Sequence, residues 1–183
     1  ILPQVDQAPL YNKLDFNVGN LVGTNEELAA TYLPAFACPS DIAPSTVQIT
    51  FLNGEQFRVA TGNYLGNQFM LDSLSSVRLS QVTDGLSQTL MVGERIYLPG
   101  IDGLPIDSKF FSGWYGTVHS ATAQSFNSIP FVAPSSVKSA YGQVSAGTAN
   151  SSRHVGGAQF VLGDGSVRLI SESLDKEILK ALG

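Results

Sequence analysis

The residues that most often advertise chemistry are scarce in this sequence. Its 183 residues include one cysteine, one tryptophan and two histidines. A single Cys38 closes no disulfide framework within the chain and builds no cysteine-based zinc site. It reads either as a small buried residue or as half of a disulfide whose partner lies upstream. Charge is scarce as well: 14% of residues are charged, against roughly 25% in ordinary globular proteins. The 10 basic residues are scattered and outnumbered by 15 acids, for a net charge of −5. That excludes a basic nucleic-acid surface and a polybasic membrane patch. No apolar run approaches the ~18–20 residues of a membrane span. An initiator methionine is missing too: the chain starts Ile1-Leu2-Pro3, and its methionines are Met70 and Met91. It therefore reads as processed or cut from something longer, with any signal peptide or anchor upstream. No repeat of ~20–50 residues is visible, which excludes solenoids and propellers.

What is present points to a folded, turn-rich domain. A hydrophobic share of 43% excludes a disordered chain. The length suits one domain spanning 1–183 and needs no covalent staple. With 18 Gly and 9 Pro among many Ser and Thr, strands and turns are expected to dominate. Leu10 and Leu14 share a helix face, with Pro9 suited to the first turn. Thr24 and Glu27 read as a capping box ahead of Leu28 and Tyr32, and Pro34 stops that helix. Val47, Ile49 and Phe51 alternate with Gln48 and Thr50, and Asn53-Gly54 then predicts a two-residue hairpin turn. Further strands are expected at 88–95, 110–118, 157–162 and 166–170, the last two forming a hairpin around Gly163-Asp164-Gly165. Leu174, Ile178 and Leu182 repeat every four residues, which predicts a closing helix. Helices at both ends with strands between them give an α+β fold with a mostly antiparallel sheet. Residues 120–152 carry one charge, Lys138, and weak periodicity, and read as a long insertion. Subunit contact, ligand contact and surface decoration all fit that segment.

Candidate chemistry is thin. Many serines but no Gly-x-Ser-x-Gly elbow, and no phosphate loop, argue against common hydrolase and nucleotide sites. Asp84, Glu94, Asp107 and Asp164 are carboxylates that could pair, but no spacing brings them together. Asp84-Gly85, Asp102-Gly103, Asp107 and Asp164-Gly165 are candidate calcium turns, and the plain turn reading is favoured because Asp-Gly makes turns without an ion. His154 stands before Val155-Gly156-Gly157. A neutral imidazole there can bridge a donor and an acceptor and pin the hairpin to a neighbouring segment, a role favoured over metal ligation. No metal, catalytic residue or cofactor is expected.

His154, nine further residues and then Asp164-Gly165-Ser166 form a block that resembles the C-terminal signature of a planctomycete-type pilin-like family. That family is designated domain-of-unknown-function family 1559 and also carries a label suggesting extracytoplasmic solute binding. Ile1-Leu2-Pro3-Gln4 through Leu10-Tyr11-Asn12, Cys38-Pro39-Ser40-Asp41, Gly62-Asn63-Tyr64-Leu65-Gly66-Asn67 and Thr83-Asp84-Gly85 through Gly93-Glu94 are similar to further blocks, in order. Departures are modest: Val5-Asp6 replaces the usual Ile-Glu, and Leu86 and Gln88 replace more frequent Thr and Asn. The resemblance implies a type IV pilin or pseudopilin-like globular head whose hydrophobic N-terminal helix, the part held in the membrane, is missing from this chain. It implies structural roles for His154, Gly156, Gly157, Asp164, Gly165, Ser166, Asn63, Tyr64, Gly66, Asn67, Asp84, Gly85, Gly93 and Glu94. An upstream cysteine would give Cys38 its partner, outside the cytoplasm. The expected function is a non-enzymatic subunit that self-associates into a filament or pseudopilus at the cell surface, in the periplasm or outside the cell. The alternative is an extracytoplasmic module for a small solute or glycan, using Trp114, Tyr115 and His119.

Overall fold

Alternation of apolar and polar side chains in Thr46–Thr50 builds the first strand of the protein, β1, which pairs antiparallel with β2, Gln56–Ala60. The computed structural model describes residues 1–50, 54–71, 76–97, 112–114, 116–117, 152–171, 173–175, 178 and 182. Among these it holds a four-stranded antiparallel sheet, two two-stranded antiparallel sheets and short helices. No helix among the described residues is long and apolar enough to cross a membrane. The chain forms two compact units, Ile1–Gly62 with Tyr97–Ser120, and Asn63–Ile96 with Ala121–Gly183.

In the first unit a 3-10 turn, Leu2–Val5, leads into α1, Ala8–Tyr11, with Pro9 in its first turn where no backbone donor is lost. The second helix, α2, spans Thr24–Ala29. Its start corrects the expected capping box: Gly23, at φ 59°, precedes the helix, and no side chain caps it. Thr24 already belongs to the first turn, so its hydroxyl is not placed to cap. Glu26 and Glu27 remain in that turn, where the helix dipole favours acids. The buried amide of Asn25 knits the preceding loop. Its Oδ1 accepts from Asp15 N–H at 2.9 Å, and its Nδ2 donates to the carbonyls of Asp15 at 2.8 Å and Gly19 at 3.2 Å.

Val47 and Ile49 of β1 and Val59 of β2 bury one face of their hairpin against Ala29, with Leu21, Phe57 and Tyr97 around them. The pairing of Thr50 with Gln56 is offset by one residue from that of a simple Asn53-Gly54 turn, which would oppose Leu52 and Glu55. Gly54 does adopt a positive φ, 85°; residues 51–53 lie outside the described residues. A second cluster gathers Leu2, Leu10 and Leu33, with Leu14, Leu28, Phe36 and Trp114 against it. The expected single strand over 110–118 is instead a tight reversal. Ser112–Gly113 (β5) pairs with Gly116–Thr117 (β6), and Trp114 sits in the turn. Glycines on both sides permit the reversal that an uninterrupted strand pattern conceals.

The second unit is built on the sheet β3-β4-β7-β8: Tyr64–Gly66, Leu90–Glu94, Gly157–Leu162 and Val167–Ser171. A short helix, α3 (Gln68–Leu71), follows β3. Leu90, Ala158, Phe160 and Leu162 form its core, with Ile170, Leu174 and Leu182 packed on them. Complete burial of a residue such as Phe160 stabilises the fold by roughly 1.5–3 kcal/mol. Leu90 faces Leu162, but Val92 faces Val161, so β4 carries one extra residue at Met91, a β-bulge. Because side chains alternate, this extra residue changes the phase of the strand. Leu90 reaches the Phe160 core while Glu94 points from the opposite face. Gly93 stands across from Phe160. The expected helix over 174–182 and the segment 120–152 lie outside the described residues, apart from a few positions at the C-terminus and Ser152.

Candidate functional site

Residues singled out in the sequence collect on the second unit's sheet and the turns at its ends. Glu94 ends β4 with its side chain only 2% exposed. Its Oε1 lies 3.2 Å from Nε2 of His154, and its Oε2 accepts the Gln159 N–H at 3.1 Å. One buried carboxylate thus ties β4 both to β7 and to the turn that leads into β7. The His154 N–H donates to the hydroxyl of buried Ser152 at 3.0 Å. Gly156, at φ 85°, makes the bend between His154 and the strand. Gly157 leaves no room for a side chain: a Cβ there would collide with the Ile170 carbonyl, whose carbon would lie 2.9 Å away.

The amides of the Gly62–Asn67 block act on backbone as well. Buried Asn63 donates from its side chain to the Arg95 carbonyl at 2.8 Å, while its own carbonyl accepts the Arg95 N–H at 2.6 Å. Asn67, also buried, donates from Nδ2 to the Leu90 carbonyl and from its N–H to the Met91 carbonyl, both at 2.8 Å. Those carbonyls lie at the bulge, so Asn67 continues the β3 register and holds β4 at the residues where its pairing with β7 shifts. Tyr64, half-exposed, pairs with Glu94 across the strands, and Gly66 pairs with Val92.

Two turns separated widely in sequence meet at the other end of the sheet. The Gly163 N–H donates to the Thr89 carbonyl at 2.9 Å, and the Asp164 N–H donates to the Leu86 carbonyl at 3.2 Å. The loop that carries Asp84 and Gly85 therefore docks its following 3-10 turn, Leu86–Gln88, against the Asp164-Gly165 hairpin turn. Gly85 and Gly165 both take positive φ, 93° and 83°. The Ser166 hydroxyl, and then the Ser166 N–H, hold the Asp164 carboxyl below its ordinary value. The hydroxyl oxygen is buried without hydrogen-bond geometry, whereas the N–H donates to Asp164 Oδ1 at 2.9 Å, so the backbone contact is the firmer of the two. A depressed carboxyl pKa adds stability above its unfolded value near 3.8 that is lost as pH falls through the lower, folded value. Asp164→Asn is therefore expected to lower stability at neutral pH, where this contribution is fully present, and to flatten the acid limb of the stability–pH curve below about pH 4, so that variant and parent converge in acid. Urea midpoints across that range measure it; an unchanged acid limb refutes the assignment.

In the first unit, Cys38 is buried and Asp41, from the same block, clamps two backbone donors. Its Oδ1 accepts from Ile42 at 2.8 Å and its Oδ2 from Tyr97 at 2.6 Å. Burial, and then the charge of Asp41, push the Tyr97 hydroxyl above its ordinary value. Trp114 donates from Nε1 to the Thr31 carbonyl at 2.8 Å and lines a cleft with Tyr11, Leu14, Phe16, Asn20 and Asn25. Tyr115 and His119, expected beside Trp114 as ligand contacts, lie outside the described residues, as do Asp102 and Asp107.

Sequence reasoning missed Gln159, which supplies the N–H held by Glu94, and missed Tyr11, Phe16 and the asparagines as cleft residues. Comparison with curated proteins and with solved structures returns no match. A family model does match, covering residues 1–177, nearly the whole chain. The motif blocks whose side chains hold the sheet together all fall within that span, and the chain belongs to the SBP_bac_10 family, described as "Protein of unknown function (DUF1559)".

Proposed function

We propose that this chain is a non-enzymatic structural subunit, a pilin- or pseudopilin-like head displayed outside the cytoplasmic membrane and assembling with copies of itself. The observation that carries this reading is where the motif polar groups are used. Glu94, Asn63, Asn67, Asp41 and Asp164 all accept from or donate to backbone groups. Catalytic sites hold titratable groups toward a space that a substrate can enter, with a base in reach of the proton it takes. Here these groups fix strands and turns, the task of a scaffold whose function lies in its outer surface. Such a subunit needs no cofactor and no nucleic acid.

Native protein from cell-surface and membrane fractions tests the proposal by intact mass, N-terminal sequencing and electron microscopy. The expected result is filaments or oligomers containing this chain, with an N-methylated start and an apolar helix upstream of Ile1. A mature chain that begins near Ile1 and stays monomeric at every concentration overturns it.

A further inference from the structure

We propose that the aromatic cleft of the first unit is a binding site for one neutral sugar ring, an activity distinct from assembly and independent of it. The cleft is an open one of about 190 Å³ between Tyr11, Leu14, Phe16 and Trp114, with Ile1 and Leu2 also in its wall and Asn20 and Asn25 as its polar lining residues. Drug-sized ligands occupy pockets of roughly 300–1,000 Å³, so this volume admits a single ring rather than a peptide. None of the lining side chains carries a charge at neutral pH, which suits a neutral ligand.

Aromatic faces meet the C–H faces of a pyranose well, and its hydroxyls need donors and acceptors at the edge. Both elements are present. The Tyr11 and Phe16 rings lie 5.0 Å apart at a tilt of 48°, and Phe16 is 68% exposed and Tyr11 40%. Water is an unfavourable neighbour for such rings, and a sugar face would cover them. Tyr11 and Asn20 in the lining bring a hydroxyl and an amide, groups that a sugar can use and a hydrocarbon ligand cannot.

The walls are held before any ligand arrives. The Trp114 ring is fixed by its bond to the Thr31 carbonyl. Asn25 is fixed by three bonds to the backbone of the loop that carries Phe16. Preorganisation of this kind lowers the ordering cost of binding.

Trp114 is the sole tryptophan, so its fluorescence reports this cleft alone. The 183-residue chain would be titrated with the methyl glycosides of glucose, galactose, mannose and N-acetylglucosamine, and with n-octanol as the apolar probe. The expected result is a saturable emission change in the millimolar range for at least one glycoside. It should be weakened about tenfold or more in Phe16→Ala and Tyr11→Ala, and less in Asn20→Ala. Both rings are exposed, so these variants are expected to melt like the parent, and Asn20→Ala reads the polar edge should either ring variant prove unstable. Three outcomes overturn the proposal: no glycoside saturates, the ring variants titrate like the parent, or n-octanol saturates while every sugar fails.

Discussion

Gly157→Ala is expected to cost the second unit about 3 kcal/mol or more, a large share of the roughly 5–15 kcal/mol that keeps a domain folded. A Cβ at this position meets backbone, not the movable end of a side chain. It would collide with the Ile170 carbonyl and stand 3.2 Å from the Ser171 Cα. Gly157 pairs directly with Ser171, so relief requires β7 and β8 to separate where the hairpin closes onto the sheet. By contrast, Gly163→Ala faces Leu86, with a flexible Cδ2 at 3.0 Å and a carbonyl at 3.1 Å, and is expected to cost less. Urea denaturation followed by circular dichroism ranks the two. Equal, small losses would mean that β8 shifts freely and that the pairing is looser than described.

The second large effect belongs to Glu94. Glu94→Ala removes both acceptors at once and strands the Gln159 N–H in a partly buried position, with His154 losing its contact to the carboxylate. Leaving such groups unsatisfied costs about 2–4 kcal/mol in total, part of it softened because His154 is 35% exposed and can turn to water. Glu94→Gln keeps the shape and can still accept from Gln159 while its amide turns toward the imidazole, so a loss of about 1 kcal/mol is expected. Chemical denaturation of the three proteins checks this. If Ala and Gln destabilise alike, charge rather than hydrogen bonding holds the strands, and the scaffold argument loses its main support.

Several elements could be read from residue order because their determinants are local. The alternation of Val47 and Ile49, the Gly163-Asp164-Gly165 turn and the run from Gly157 to Leu162 each specify structure within a few residues, and β7 and β8 lie within a residue of their expected bounds. Other features are set by pairing across distance. The bulge at Met91 exists only relative to β7, so no property of Leu90–Glu94 alone announces it. Glu94 and His154 were both singled out, but their contact depends on β4 and β7 being neighbours in the sheet. Tyr11 and Phe16 sit on a four-residue helix and in an irregular segment, where spacing assigns no face, so their convergence with Trp114 left no periodic trace. The helix start differed by one residue because Gly23 could take a positive φ that Thr24 would resist.

The sheet order has a kinetic consequence. Strands β7 and β8 are joined by a short turn and can pair as soon as both exist, on the microsecond scale of hairpins. Strand β4, the neighbour on the other edge of β7, is separated from it by residues 95–156. Closing a loop that long costs roughly 3–4 kcal/mol of chain entropy before any contact offsets it. During synthesis β4 is made first and must wait for residues 95–156 before β7, its partner, follows. Until then Leu90 and Met91 lie on an unpaired edge, the kind of surface on which chains associate wrongly. The step that joins β7 to β4 is therefore the one at which a folding helper, or a rise in temperature, would change the yield of native protein most.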